Sequence, residues 1–237
     1  MDNKIKNILF DMDGTLVTGD TDLFFYVFFN EMVMKYLKNF GGDPDTVEQM
    51  LLKCIGVMQQ NNGVTTNETI FYKALEKLSG VKETKLRVFF DDFYKNEFKK
   101  THMTYDPIPK MNEVLDYLSR KGYNLILATD PTIPLCAIEF KLKDCDIDKN
   151  IFSYITTNEN SNYTKLNVEY YNNILKKCGL KASESIMVGN HAEKDKLAEK
   201  AGIKTILIKD YLVNKNNINL DNLMTINEFL NYIKQNF

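Results

Sequence analysis

In the stretch Ile5-Lys6-Asn7-Ile8-Leu9-Phe10-Asp11-Met12-Asp13-Gly14-Thr15, a short apolar run ends in an acidic turn that contains a glycine. The run from Ile5 to Phe10 predicts a buried strand that delivers polar residues at its C-terminal tip. Side chains alternate along extended backbone, so Asp11 and Asp13, two residues apart, point the same way. Gly14 permits a sharp turn after them. Carboxylates placed like this can divide the work: one attacks an electrophile while the other donates or removes a proton. A calcium loop does not fit, because such a loop needs its glycine at the sixth position and Gly14 is fourth from Asp11. A polar turn that merely closes a strand is the plainer alternative.

Downstream of this turn the pattern changes to helical spacing, as in Phe25, Phe28, Phe29, Met32 and Tyr36. Gly41-Gly42-Asp43-Pro44 and Asn61-Asn62-Gly63 break it, which predicts a second helix from about Asp45 to Gln60 and further helices near Thr69 to Ser79 and Glu83 to Lys99. After Pro107 and Pro109 strands and helices alternate. Predicted helices are Lys110 to Lys121, Thr132 to Lys141, Asn167 to Cys178 and Ala192 to Ala201. Predicted strands are Asn124 to Thr129, Phe152 to Thr156, Ser185 to Val188 and Lys204 to Ile208. Thr225 and Glu228 have the spacing of a capping box for a last helix, and Asn214 to Asn222 reads as a surface loop. The alternation implies an α/β fold with a parallel sheet covered on both faces and an all-helical insert. Ligands of such sheets lie beyond the C-terminal ends of the strands.

Four polar features fall at that edge: the Asp11/Asp13 pair, Thr129, Lys165 and the Asn190/Asp195 turn. A hydroxyl at Thr129 can donate to a phosphate oxygen, although a turn residue would serve as well there. Lys165, in Asn162-Tyr163-Thr164-Lys165, can neutralise a nucleophile–phosphate pair; a lone lysine is more often a surface residue. Asp195 can complete a hard-cation site with Asp11, since magnesium takes oxygen ligands. The plainer reading is an acid in the first turn of a helix, where the dipole favours it.

Composition narrows the classes. The 237 residues are 44% hydrophobic and 26% charged, as in globular proteins. A formal net charge of -2, with lysines interleaved among acids, gives no electrostatic footprint for nucleic acid. No run approaches the roughly 18 apolar residues of a membrane span. Met1 to Phe10 lacks the apolar stretch and cleavage site of a signal peptide. Cys54, Cys136, Cys145 and Cys178 show no metal-ligand spacing, which suits buried thiols in a reducing cytoplasm.

The order of these features resembles the haloacid dehalogenase (HAD) superfamily. Its first motif, DxDx[TV] after the first strand, corresponds to Asp11, Asp13 and Thr15; its second, a Thr or Ser ending a strand, to Thr129. Its third, a Lys before a helix, corresponds to Lys165, and its acidic fourth corresponds in part to Gly189, Asn190 and Asp195. The resemblance implies a Rossmann-like core over residues 1–18 and 103–237 and a helical cap over residues 19–102. Leu127-Ala128-Thr129-Asp130-Pro131 and Met187-Val188-Gly189-Asn190 look closer still to a poorly characterised bacterial branch, whose motifs read ATNP, KPNP and GND. Asp130, Leu166 and His191 depart from that branch.

By this resemblance the chain is a magnesium-dependent phosphohydrolase of a small phosphorylated metabolite, in the cytoplasm, without nucleic-acid or membrane partners. Asp11 is its nucleophile and Asp13 its acid/base. Thr129 and Lys165 bind the phosphate, and Asp11, Asp13, Asn190 and Asp195 form the Mg2+ site. Dehalogenases of the superfamily lack the second Asp, so Asp13 favours phosphoryl chemistry, and no feature demands a mutase. The altered fourth motif, and Asp130 beside the phosphate site, motivate the alternative of a catalytically impaired binding or regulatory protein on the same fold. Nothing in the sequence identifies the substrate or the oligomeric state.

Overall fold

The computed structural model describes residues 5–237; Met1 to Lys4, which belong to the stretch read as lacking a signal peptide and to the first core segment, lie outside the described residues. In chain order, β1 (Asn7–Phe10) and β2 (Val17–Gly19) precede four helices, α1 (Thr21–Phe40), α2 (Pro44–Gln59), α3 (Asn67–Ser79) and α4 (Glu83–Asn96). Then come β3 (Tyr105–Pro107), α5 (Met111–Arg120), β4 (Asn124–Leu127), α6 (Leu135–Asp144), β5 (Phe152–Ile155) and α7 (Val168–Cys178). The chain ends with β6 (Ser185–Gly189), the single turn α8 (Ala192–Asp195), β7 (Lys204–Ile208), β8 (Leu223–Met224) and α9 (Ile226–Asn236).

Six strands form one sheet in the order β5-β4-β1-β6-β7-β8, with every pairing parallel. β1 is central, and all of its residues are buried because β4 and β6 pair with it on either side. Alternation along β1 sends Ile8 and Phe10 into one core layer, with Val114, Leu118, Ile138 and Phe229. It sends Leu9 into the other layer, with Ile126, Met187, Tyr171 and Ile174. The sheet is thus covered on both faces, and the loops after β1, β4 and β6 open on one edge.

The four helices α1 to α4 sit between β2 and β3 and have a core of their own, built around Phe28, Met32, Tyr36, Leu75, Leu86 and Phe93. β2 and β3 pair antiparallel, Val17 with Pro107 and Gly19 with Tyr105, so the chain leaves and re-enters the sheet domain through one narrow ribbon. Phe24, Ile133 and Phe140 pack against both cores. The start of α3 is pinned to loops of the sheet domain. Asn67, fully buried, donates from Nδ2 to the carbonyls of Pro131 (3.0 Å) and Tyr163 (3.3 Å), and the Glu68 N–H donates to the Asn158 carbonyl (2.9 Å).

Most predicted elements are present; three differ. The helix after β4 starts at Leu135, not Thr132, because Pro131 to Ile133 form a turn and Pro134, with extended backbone and no N–H, becomes the N-cap. The helix predicted over Ala192 to Ala201 is one α turn followed by a 3₁₀ segment, Lys196–Ala201, closed by Gly202 in the left-handed conformation. The ribbon β2–β3 and the edge strand β8 are two or three residues long, too short to show a period of two. The capping box at Thr225 and Glu228 is formed as expected. The cysteines are free thiols, and no helix among the described residues is long and apolar enough to cross a membrane.

Candidate active site

The turn after β1 is wound around one carbonyl. Met12 O accepts from the N–H groups of Thr15, Leu16 and Val17, at 3.2, 2.8 and 2.9 Å. Gly14 has φ +79°, which its lack of a side chain allows, and a Cβ there would overlap the Asn190 amide. Met12 and Thr15 are fully buried, so the turn is anchored beneath while Asp11 and Asp13 face the open edge. The two carboxylates differ in access: the Asp11 side chain is 11% exposed and that of Asp13 is 61% exposed.

Lys165 reaches this edge from the loop before α7 and is itself buried. Its Nζ donates to Asp11 Oδ1 at 2.8 Å and also pairs with Asp195 Oδ1, so one cation lies between two buried carboxylates. Burial pushes the Asp11 carboxyl up to about 7, against the pull of Lys165, with Asp195 and Asp13 adding to the rise. Burial acts to lower Lys165, but Asp11 and Asp195 outweigh it and hold the ammonium well above its ordinary value. A carboxyl near neutrality beside a fixed cation is the kind of perturbation found at functional sites.

Asp195 has both oxygens engaged by protein groups. Besides the pair to Lys165, its Oδ2 accepts from the backbone N–H groups of Asn190 (2.9 Å) and His191 (2.8 Å), which ties the turn after β6 together. This requires a bare backbone at Gly189, where a Cβ would overlap the Asp195 carboxylate. Gly189→Ala is therefore expected to cost about 2 kcal/mol through forced repacking. Its thermal midpoint should fall by roughly 4–8 °C; an unchanged melting curve would show that the close approach is not needed. Asn190 is buried and donates from Nδ2 to the Tyr211 carbonyl at 2.8 Å. Its Oδ1 is buried without a protein partner.

Thr129 lies just past β4, beside the end of β1, and is buried. Its carbonyl accepts from the hydroxyls of Thr156 (2.7 Å) and Tyr170 (2.8 Å), which fix this segment from below. Asp130, whose charge was the sequence argument for impaired phosphate binding, is neutralised. Its Oδ2 pairs with Lys194 Nζ at 2.7 Å and its Oδ1 accepts from the Lys165 N–H at 3.3 Å. His191 is half-buried with Nδ1 3.1 Å from Glu193, and burial together with Lys194 lowers its pKa.

Two participants were not singled out from the sequence. Lys194 shows no local signal, because its partner is 64 residues away. Lys141 does show one: it falls on the buried stripe of α6 with Ala137, Ile138 and Leu142, where an apolar residue is expected. It is buried, and its ammonium pairs with Asp13 Oδ1.

A parallel sheet covered on both faces, with this constellation at one edge and a helical insert after the first strand, defines a Rossmann-like α/β core. A family profile of haloacid dehalogenase-like hydrolases matches residues 8–208, and the chain belongs to that family. No curated protein matches the chain in sequence. Solved structures share the fold. A HAD phosphatase from Thermococcus onnurineus is 19% identical, with 97% of this chain and 98% of that one covered and a TM-score of 0.62. A 2-haloacid dehalogenase from Pseudomonas syringae is 17% identical, with 98% of each chain covered and a TM-score of 0.65. A HAD family enzyme from Bacteroides thetaiotaomicron, in complex with magnesium and inorganic phosphate, is 17% identical, with 90% and 98% covered and a TM-score of 0.53.

Proposed function

We propose that this hydrolase releases phosphate from a small phosphomonoester, with magnesium, through an aspartyl-phosphate at Asp11. One observation carries the reading: a buried carboxylate held by Lys165 stands two residues from an accessible one. That is the division a nucleophile and a leaving-group acid need. Dehalogenation needs no such acid.

The oxygen donors suit a hard cation. Asp11 supplies a charge, and the Asn190 Oδ1 is buried without a protein partner. With the Asp13 backbone carbonyl, these are the residues that would hold magnesium. Asp195 shapes the turn that presents Asn190 through its Oδ2, and its Oδ1, buried beside Lys165, would complete the donor set. No cluster of three or more His, Cys, Asp or Glu residues that could hold a metal occurs among the described residues, in keeping with an amide in place of an acid at position 190. Bound magnesium supplies charge neutralisation and orientation of the phosphoryl group.

In the first step an Asp11 oxygen forms a bond to phosphorus as the bond to the leaving oxygen breaks, and Asp13 gives its proton to the departing alkoxide. In the second, Asp13 takes a proton from water as the water oxygen attacks phosphorus, which frees Asp11 and inorganic phosphate. Lys165 and the Thr129 hydroxyl stabilise the equatorial oxygens. The helical unit over residues 19–102 serves as a cap that excludes water and selects the leaving group.

The test is phosphate release from a panel of phosphomonoesters with and without magnesium. Activity absent across the panel with every divalent metal would sink the reading. Asn190→Asp adds a charged ligand and is expected to lower the magnesium concentration for half-maximal effect by at least ~10-fold. Asp cannot donate to the Tyr211 carbonyl as Asn190 does, so the metal-free variant should melt lower. Added magnesium should therefore raise its midpoint more than that of the natural protein.

A further inference from the structure

Lys141 is the one charged side chain on the buried stripe of α6, with 3% of its surface exposed. Its ammonium meets three groups from three parts of the fold. The first is the Asp13 carboxylate, two residues past the nucleophile. The second is the ring of Phe24 in the first turn of α1, with Nζ 4.7 Å from the ring centre. The third is the ring of Tyr105 in β3, with Nζ 5.0 Å from the ring centre. A buried ammonium is strongly disfavoured unless paired, and aromatic faces stabilise it further. Lys141 is enclosed and Asp13 is mostly exposed, so the lysine is the fixed partner and sets where the carboxylate rests.

The two aromatic partners are placed where the helical unit joins the sheet domain. Phe24 packs against both cores, and Tyr105 pairs with Gly19 across the ribbon through which the chain leaves and returns. A change in the angle of the helical unit would therefore move the cage around Lys141, and with it Asp13.

We propose that Lys141 is a positioning residue for Asp13: it holds the carboxylate where it can serve the leaving oxygen, and its Phe24–Tyr105 cage makes that position depend on the seating of the cap. The proposal rests on the phosphohydrolase reading for its consequence, but the pairing itself can be tested without turnover. A misplaced acid harms only reactions that need one. Alkoxide leaving groups need a proton; p-nitrophenolate does not.

Lys141→Met keeps the length and removes the charge, so the aromatic cage remains filled. Its kcat on glycerol phosphate is expected to fall ~10²-fold, with KM within about 3-fold, while its kcat on p-nitrophenyl phosphate falls less than about 5-fold. Lys141→Arg should recover a large part of the glycerol phosphate rate, and Phe24→Leu should show a smaller loss of the same selective kind. Equal losses on both substrates, or none, would overturn the proposal. The second readout is the ¹⁵N signal of the Lys141 ammonium, identified by its absence in Lys141→Arg. It should be visible through slow exchange in the natural protein and should shift or broaden in Asp13→Asn. A signal unmoved by Asp13→Asn overturns the pairing whatever the kinetics show. If the natural protein hydrolyses no ester of the panel, the phosphohydrolase reading fails, and the ammonium signal still decides whether Lys141 holds Asp13.

Discussion

Asp11→Asn is expected to release phosphate slower than the natural protein by roughly 10⁴-fold or more, and at pH 8 to be the more stable of the two. The kinetic loss follows from the chemistry: an amide oxygen in place of a carboxylate cannot form the acyl phosphate, and losing a nucleophile removes most of the rate enhancement. The stability gain follows from the burial of Asp11. Its ordinary value of 3.8 describes the unfolded chain, whereas folding pushes it up to about 7. Below pH 3.8 the group is neutral in both states. As pH rises toward 7 the unfolded chain ionises first, so stability present in acid is lost progressively until the folded carboxyl ionises too. Asn190 and Asp195 are unchanged in the variant, which differs only in lacking this ionisation. Metal-free urea unfolding should then show the advantage of Asp11→Asn growing from pH 4 to pH 8, by on the order of 3 kcal/mol. Chelator is needed, since a cation on Asp11 opposes the effect. Residual turnover above a few per cent would remove Asp11 as nucleophile, and a stability difference independent of pH would remove the burial argument.

The features visible in the sequence are those fixed by local pattern. Alternation of strands and helices requires a parallel sheet, and a parallel sheet places the loops carrying Asp11, Thr129 and Asn190 on one edge. The pairing of β1 with β4 and β6 has that arrangement. Asp11 and Asp13 could be read as a pair because two residues of extended backbone separate them. The difference in their access could not, because the surroundings of Asp11 come from distant parts of the chain, as Lys165 does across 154 residues. Lys141 meets Asp13 across 128 residues, and Lys194 meets Asp130 across 64. Such ion pairs leave no local trace, except that Lys141 interrupts an apolar stripe. The doubt that Asp130 cast on phosphate binding came from counting one charge without its partner. The helical unit was readable as an insert from its change of period, whereas the ribbon that connects it was not. Strands as short as Val17–Gly19 are set by their partner, not by their own sequence.

Lys165→Met is expected to lower stability by about 3–5 kcal/mol at pH 8 and to abolish phosphate release. The substitution leaves Asp11 and Asp195 buried near one another with no cation between them. Removing one partner from a buried charge cluster costs far more than the cluster's net contribution, because the remaining charge has no solvent to turn to. The cost should shrink toward pH 4, where protonation relieves the repulsion, since the loss of Lys165 raises Asp11 still further above its ordinary value. The double variant Lys165→Met, Asp11→Asn separates this account from simple loss of packing. With Asp11 neutral, only the Asp195 carboxylate remains, and two backbone N–H groups already hold it. The lysine substitution should then cost about 2 kcal/mol less than in the natural background, a coupling of the size expected for side chains in one buried network. Additive costs would mean that Lys165 acts through its aliphatic stem alone. In that case neither the restraint on the raised Asp11 carboxyl nor the stabilisation of the phosphoryl oxygens could be assigned to its charge.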